Sequence, residues 1–311
     1  MPTDPHPDRR GALAGIGDTP VVRVSTPPDS AELWVKLESH NPTGSYKDRM
    51  ALAMIEGAER SGRLRPGQTV VEYTGGSTGS SLALVCAVKG YPLRIVSSTA
   101  FAPEKIQTMR AFGADVELID SPEGITPALI PAMRARAAEI VAETGGHPTD
   151  QFTNTDMVDG YRPLGHELIH QLDGNLDAIV IYVGTAGCYL GVTRALREAL
   201  PAIYRVAVEP AESPVLSGGA PGTHRIEGGG IGFVPPLLSL DEIDEVVAVP
   251  TAHAMDAARA AARSDGIWSG PSSGANLVAA RQVAARLGPG RRVATIAVDS
   301  GLKYLGGPLY R

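Results

Sequence analysis

The stretch QTVVEYTGGSTGSSLALVCAVKGYPLRIVSS, residues 68–98, decides the fold. It opens on the β-branched run QTVVEYT and passes through a glycine-rich turn, TGGSTG at 74–79. The apolar helical segment SSLALVCAVKG follows, and a second strand, LRIVSS, closes the unit. Short buried-type strands joined by a helix are the units from which parallel sheets are built. The pattern continues with a helix in APEKIQTMRAFG, a strand in DVELI and a helix in the alanine-rich segment 127–143. Farther on come DAIVIYV, GVTRALREAL, RVAVEP, DEVVAV, helices near 252–264 and 275–287, and VATIAVD. The expected fold class is α/β, with mostly parallel twisted sheets flanked by helices. The alternation breaks around 144–165, which is rich in turn formers, and at 211–240, a long Gly/Pro-rich loop. Long irregular loops in a compact α/β protein are often functional.

Composition narrows the function classes. The chain has 311 residues, 43% hydrophobic and 20% charged, with a formal charge of -6. That is enough for a sizeable core and one or two domains. Mild acidity without a Lys/Arg run leaves no electrostatic footprint for nucleic acid. No apolar run approaches a membrane span. The N-terminal MPTDPHPDRR reads as a loose polar arm, not a secretory signal, because it lacks an apolar centre. Cys86 and Cys188 are the only cysteines, too few for a disulfide framework, and the seven histidines show no ligand spacing. No metal is expected, and a reducing, cytoplasmic setting fits.

The chemistry is carried by one lysine and several glycine-rich loops. Lys47, in NPTGSYKDRM, falls at the mouth of an expected helix after a turn built from Pro42 and Gly44. A helix N-terminus presents positive potential to it, and an amine less favoured as ammonium is the nucleophile a carbonyl requires. GTAGC at 184–188 follows the strand DAIVIYV and opens a helix, where successive backbone N–H groups form an anion site. It has neither the GKS/GKT of a Walker A loop nor a GxGxxG. TGGSTG occupies the same kind of position, its amides and the Thr74, Ser77 and Thr78 hydroxyls suited to a carboxylate. GPSSGAN at 270–276 opens a third helix, with Ser272 able to face a ring nitrogen or to cap the helix. EGGGIGF at 227–233 is either an active-site edge or a flexible turn. Together these features point to a lysine that carries pyridoxal 5'-phosphate through a Schiff base.

The chain resembles the cysteine synthase and cystathionine β-synthase family of fold-type II pyridoxal-phosphate enzymes. The likeness runs from GDTP at 17–20 to DSGLKYL at 299–305 and is carried by NPTGSYKDRMALAMIEGAE, AVEPAESPVLSGG and GIGFVPP. It implies a homodimer of two-domain subunits with the cofactor in the interdomain cleft. Residues 1–40 plus 150–311 would form the large cofactor-binding domain, and 41–149 the smaller, mobile substrate-binding domain. Carried over by position, Lys47 matches the Schiff-base lysine, and Gly184, Thr185, Ala186, Gly187 and Cys188 match the phosphate loop. Ser272 matches the residue facing the pyridine nitrogen. Thr74, Gly75, Gly76, Ser77 and Thr78 match the loop for the substrate carboxylate, Gln151 its helper, and Gly229 the glycine edge beside the substrate.

Three residues depart from the family pattern. Where the family loop reads TSGNTG, Gly75 replaces the serine and Ser77 replaces the asparagine that binds the cofactor's O3'. A hydroxyl is shorter than an amide and has one donor where the amide has two, so a roomier pocket with a different grip on O3' is expected. Cys188 replaces the phosphate loop's final threonine with a weak donor, which leaves more of the anion to the backbone and Thr185.

The resemblance implies β-replacement on an O-activated L-serine through an aminoacrylate, with O-acetylserine and sulfide, or another small nucleophile, as substrates. The alternatives are a β-eliminating lyase or a cystathionine β-synthase-like enzyme acting on serine or cysteine, or a non-catalytic cofactor-binding paralogue.

Overall fold

The computed structural model describes residues 10–123 and 128–311. The arm at residues 1–9 and the first residue of the expected 127–143 helix lie outside them. The chain divides into two compact units, one taking the chain up to Asp18 and Asn41–Asp150, the other Thr19–His40 and Gln151–Arg311.

The second unit contributes the first strands, β1 (Val21–Val24) and β2 (Glu32–Leu37). These sequence reading passed over, because both are short and lie outside the strand–helix alternation. In chain order the first unit then supplies α1 (Lys47–Arg60), β3 (Val70–Tyr73), α2 (Ser77–Lys89), β4 (Leu93–Ser98), α3 (Pro103–Ala111), β5 (Asp115–Ile119), α4 (Leu129–Thr144) and β6 (His147–Pro148). Its sheet has the order β5-β4-β3-β6, and every pairing is parallel. Apolar side chains of α4 cover one face of it, with Leu129, Met133, Ala137 and Ile140 packed on Val71 and Val96. The segment 10–18 is held to this unit where the Gly17 N–H donates to Asn41 Oδ1 at 3.0 Å.

The second unit resumes with α5 (Asp156–Gln171), β7 (Ala178–Tyr182), α6 (Gly187–Ala199), β8 (Tyr204–Pro210), β9 (Glu245–Val249), α7 (Thr251–Ser264), α8 (Pro271–Leu287) and β10 (Arg292–Ala297). Its sheet runs β1-β2-β10-β7-β8-β9; only β1 is antiparallel. All five residues of β7 are buried, as a strand covered on both faces requires. The Asn276 side chain locks α8 to the sheet, accepting from the Tyr182 N–H at 2.6 Å and donating to the Ile296 carbonyl at 2.9 Å.

The segment around 144–165, expected to be irregular, contains β6 and most of α5. Pro163 lies inside that helix, yet Met157, Val158, Tyr161, Leu164, Gly165 and Leu168 form a buried stripe at helical spacing. A proline in a helix interior costs about 3 kcal/mol, and burial of this face offsets it. The contact with α6 is close. A Cβ on Gly165 would lie 2.8 Å from Ala195 Cβ, and one on Gly191 would strike the Val158 carbonyl. The segment 211–240 holds no α-helix or strand, and a short 3-10 turn, Leu240–Glu242, begins at its end.

Three helices start earlier than their apolar runs suggest: α2 at Ser77, α6 at Gly187 and α8 at Pro271. The glycine-rich loops thus run straight into first helical turns, whose N–H groups have no intrahelical acceptor.

Candidate active site

In the first unit the turn before Lys47 is built from its own polar side chains. Gly44, at φ 72°, lets its N–H reach the Asn41 carbonyl at 2.7 Å. Thr43 donates its N–H and its hydroxyl to the two Asp48 carboxylate oxygens at 2.8 and 2.5 Å, folding the turn back onto α1. The Thr43 and Ser81 hydroxyls lie 3.3 Å apart, linking this turn to α2. Lys47 is the first residue of α1 and only 8% exposed. Its Nζ stands 5.0 Å from the centroid of the Tyr46 ring, whose face attracts a cation.

The second glycine loop of this unit follows β3. Gly76 is the N-cap of α2 and donates its N–H to Thr74 Oγ1 at 3.1 Å. Ser77, Thr78 and Gly79 form the first turn, which contains no acidic residue. Thr74 and Thr78 are buried, Gly75, Gly76 and Ser77 half-buried. The space that a side chain at residue 75 would take is filled by the Phe101 ring. Tyr73, directly before the loop, is pushed up to about 12 by burial and then by the neighbouring Glu72 carboxylate, so its phenol stays neutral.

In the second unit the structure brings three sequence-distant loops together. Ala186 is the N-cap of α6, held at φ 70°, and no acidic residue stands in the first turn of that helix. Such an end is an anion site. Gly184 lies under the loop at 228: a Cβ there would be 2.5 Å from the Gly228 carbonyl oxygen. The Gly230 N–H donates to the Val183 carbonyl at 3.2 Å. Tyr182 Oη donates to the Ile226 carbonyl at 3.1 Å. A Cβ on Gly229 would run into the Val183 carbonyl and the Tyr182 ring, and one on Gly228 would lie 3.8 Å from Ser272 Oγ.

Around this cluster, Thr185 Oγ1 donates to Met157 Sδ at 3.6 Å. Cys188 is buried, and neither cysteine forms a disulfide. Burial raises the Tyr189 phenol well above its ordinary value, which keeps a negative charge away from the loop. Ser272 lies in the first turn of α8, is 2% exposed, and its hydroxyl has no hydrogen-bond partner among the described residues. Gly270 supplies the N-cap, so Ser272 is not the helix cap that a serine at a helix start most often is. A buried polar atom left without a partner costs about 1–3 kcal/mol and marks a place where a ligand atom belongs.

Gln151 is buried and follows Asp150, whose φ is 46°. Sequence reading named Gly229 but not Gly228, Met157 or Phe101. A motif gives no sign of a contact made across 44 residues, as between Tyr182 and Ile226.

These residues fit pyridoxal phosphate. The α6 N-terminus would suit a phosphate, and Ser272 Oγ would offer a neutral partner to a ring nitrogen. Among the described residues, no group of three or more His, Cys, Asp or Glu side chains is placed to hold a metal ion. No helix among them is long and apolar enough to cross a membrane.

Comparison with known proteins agrees. The family model for pyridoxal-phosphate dependent enzymes matches residues 12–299. The chain is 42% identical over 299 residues to a cysteine synthase of Staphylococcus aureus, covering 95% of each chain. It superposes on O-acetyl serine sulfhydrylase isoform 3 from Entamoeba histolytica with a TM-score of 0.91 and 35% identity, covering 100% of this chain and 94% of that one. An O-acetylserine dependent cystathionine beta-synthase from Helicobacter pylori superposes with a TM-score of 0.90 and 34% identity over 96% of this chain and 98% of that one. The chain belongs to the family of pyridoxal-phosphate dependent enzymes, and its fold is that of fold type II.

Proposed function

We propose, from this membership, that the enzyme replaces the β-substituent of O-acetyl-L-serine with sulfide, releasing acetate and forming L-cysteine. The buried Ser272 hydroxyl without a partner, beside the Gly184 and Gly228 loops, carries the reading. Bound pyridoxal phosphate supplies an electron sink at the substrate Cα. Lys47 Nζ would hold the cofactor and would take the proton from the substrate Cα, while acetate leaves Cβ with its bonding pair. When sulfide adds at Cβ, Lys47 returns the proton to Cα. Gly184, Thr185, Ala186, Gly187 and Cys188 hold the phosphate. Thr74, Gly75, Gly76, Ser77 and Thr78 hold the substrate carboxylate with Gln151, and Gly229 lines the substrate. In these roles residues 41–149, Lys47 apart, serve mainly the substrate, and the phosphate and ring nitrogen are served from within 150–311. The relatives named cysteine synthase and O-acetyl serine sulfhydrylase support the choice of donor and nucleophile. The protein is a homodimer of the cytoplasm, which light scattering of the purified enzyme and cell fractionation would check.

The test is steady-state turnover of the cofactor-loaded enzyme with O-acetylserine and sulfide, reading cysteine and acetate. Loaded enzyme that forms no cysteine overturns the reading. A second reading, addition of a larger thiol as in cystathionine formation, is favoured by the short Ser77 side chain and by the Helicobacter pylori neighbour. Ser77→Asn separates the two. A hydrogen bond to a charged group is worth about 1.5–3 kcal/mol. The variant should therefore shift affinity for O-acetylserine about tenfold or more, and should lose reaction with a bulky thiol if the pocket is built for one. Identical profiles on O-acetylserine, O-phosphoserine, serine and cysteine would remove Ser77 from specificity.

Ser272→Asp places a carboxylate where a neutral hydroxyl stands. A charge there favours a protonated ring nitrogen and a stronger sink, so β-replacement should fall about tenfold or more and transamination should become detectable. An unchanged visible spectrum and rate would show that Ser272 does not face the ring.

A further inference from the structure

The Phe101 ring is seated on the backbone of Gly75. A Cβ built on Gly75 would clash with ring atoms Cε1, Cζ and Cδ1. Gly75 is not among the positive-φ residues, so its φ is open to a side chain, and the three atoms nearest to one all belong to the ring. Phe101 is held from behind, half-buried on the cluster that contains Val71, Val96 and Leu129. The turn that delivers it is pinned as well. The Phe101 N–H donates to the Ser98 carbonyl at 3.2 Å, and the Ala100 N–H to Ser98 Oγ at 3.2 Å. Neighbouring strand ends are joined where the Thr74 N–H donates to the Val96 carbonyl at 3.0 Å. A second side chain from this region packs on the same loop, since a Cβ on Gly79 would lie 2.5 Å from Met109 Cε.

Gly75 and Gly76 have the least restricted backbones of any residue type, and N–H groups that bind a carboxylate must be held in direction before it arrives. We propose that Phe101 is a positioning residue of the substrate loop: its ring fixes the Thr74–Gly76 backbone in the direction that receives the substrate carboxylate. The glycine at 75 and the phenylalanine at 101 are then one coupled feature, and the family serine is excluded at 75 for as long as the ring is present. This inference rests on the reading of 74–78 as the carboxylate loop.

The test compares wild type, Gly75→Ser, Phe101→Ala and the double variant, all loaded with cofactor. KM and kcat for O-acetylserine are measured, together with amide hydrogen exchange of the peptide spanning 74–79. Gly75→Ser overpacks the contact and should raise KM about five- to a hundredfold, with a much smaller change in kcat. Phe101→Ala should raise KM and speed exchange of the loop about tenfold or more. The double variant, in which the serine has room, should return to within about threefold of wild-type KM, a non-additive result. Phe101→Leu keeps apolar volume and should fall between wild type and alanine. Additive effects on KM, or loop exchange that Phe101→Ala leaves unchanged, would overturn the proposal. Failure of the carboxylate-loop reading looks different: exchange would respond to the substitutions as expected while KM in every variant stayed at the wild-type value, and the link to substrate would fall with it.

Discussion

Lys47→Ala should lower cysteine formation by about four orders of magnitude, because in the proposed mechanism the amine both tethers the cofactor and moves the Cα proton, and each role contributes about 10²-fold or more. The fold should survive. Lys47 opens a helix whose preceding turn is held by Thr43 and Asp48, and alanine is the best helix former. The variant should still bind pyridoxal phosphate through the 184–188 loop, without the covalent link. Borohydride reduction of the wild type, followed by peptide mapping, should place the cofactor on Lys47. Label on Lys36 or Lys105, both also buried, or near-normal turnover by the variant, would move the catalytic amine elsewhere.

Gly184→Ala should weaken cofactor binding about ten- to a hundredfold. Its Cβ would lie 2.5 Å from the Gly228 carbonyl oxygen, a backbone atom that cannot rotate away. Overpacking of this kind costs about 1–3 kcal/mol, and each 1.4 kcal/mol is about a factor of ten in affinity. The strain falls on the contact that joins the first turn of α6, the proposed phosphate site, to the loop at 228. Absorbance titration of the cofactor-free protein with pyridoxal phosphate checks this. Wild-type affinity in the variant would show that the two glycine loops do not form the phosphate site together.

The sequence by itself determined what is written in short-range patterns. Strand–helix alternation from 68 to 98 announces parallel sheets because a buried strand and its crossover helix each carry their own periodicity. Lys47 and the loops at 74–79, 184–188 and 270–276 are legible because glycine, hydroxyl and helix-start signals lie within a few neighbouring residues. Tertiary structure alone decided which loops meet and which strands pair. β10 lies between β2 and β7, with Arg292 opposite Glu32, a partnership that no local pattern in either strand specifies. α5 forms through a segment full of turn residues and Pro163, because its buried stripe gains more from packing on α6 than the proline costs. Ser272 has its hydroxyl beside Gly228, and Phe101 fills the missing side chain of Gly75, through contacts made across tens of residues. Hydrogen bonding and helical period act between near neighbours along the chain. Burial and close packing act between whatever the fold brings together, so the lysine and the loops were visible in the sequence while their partners were not.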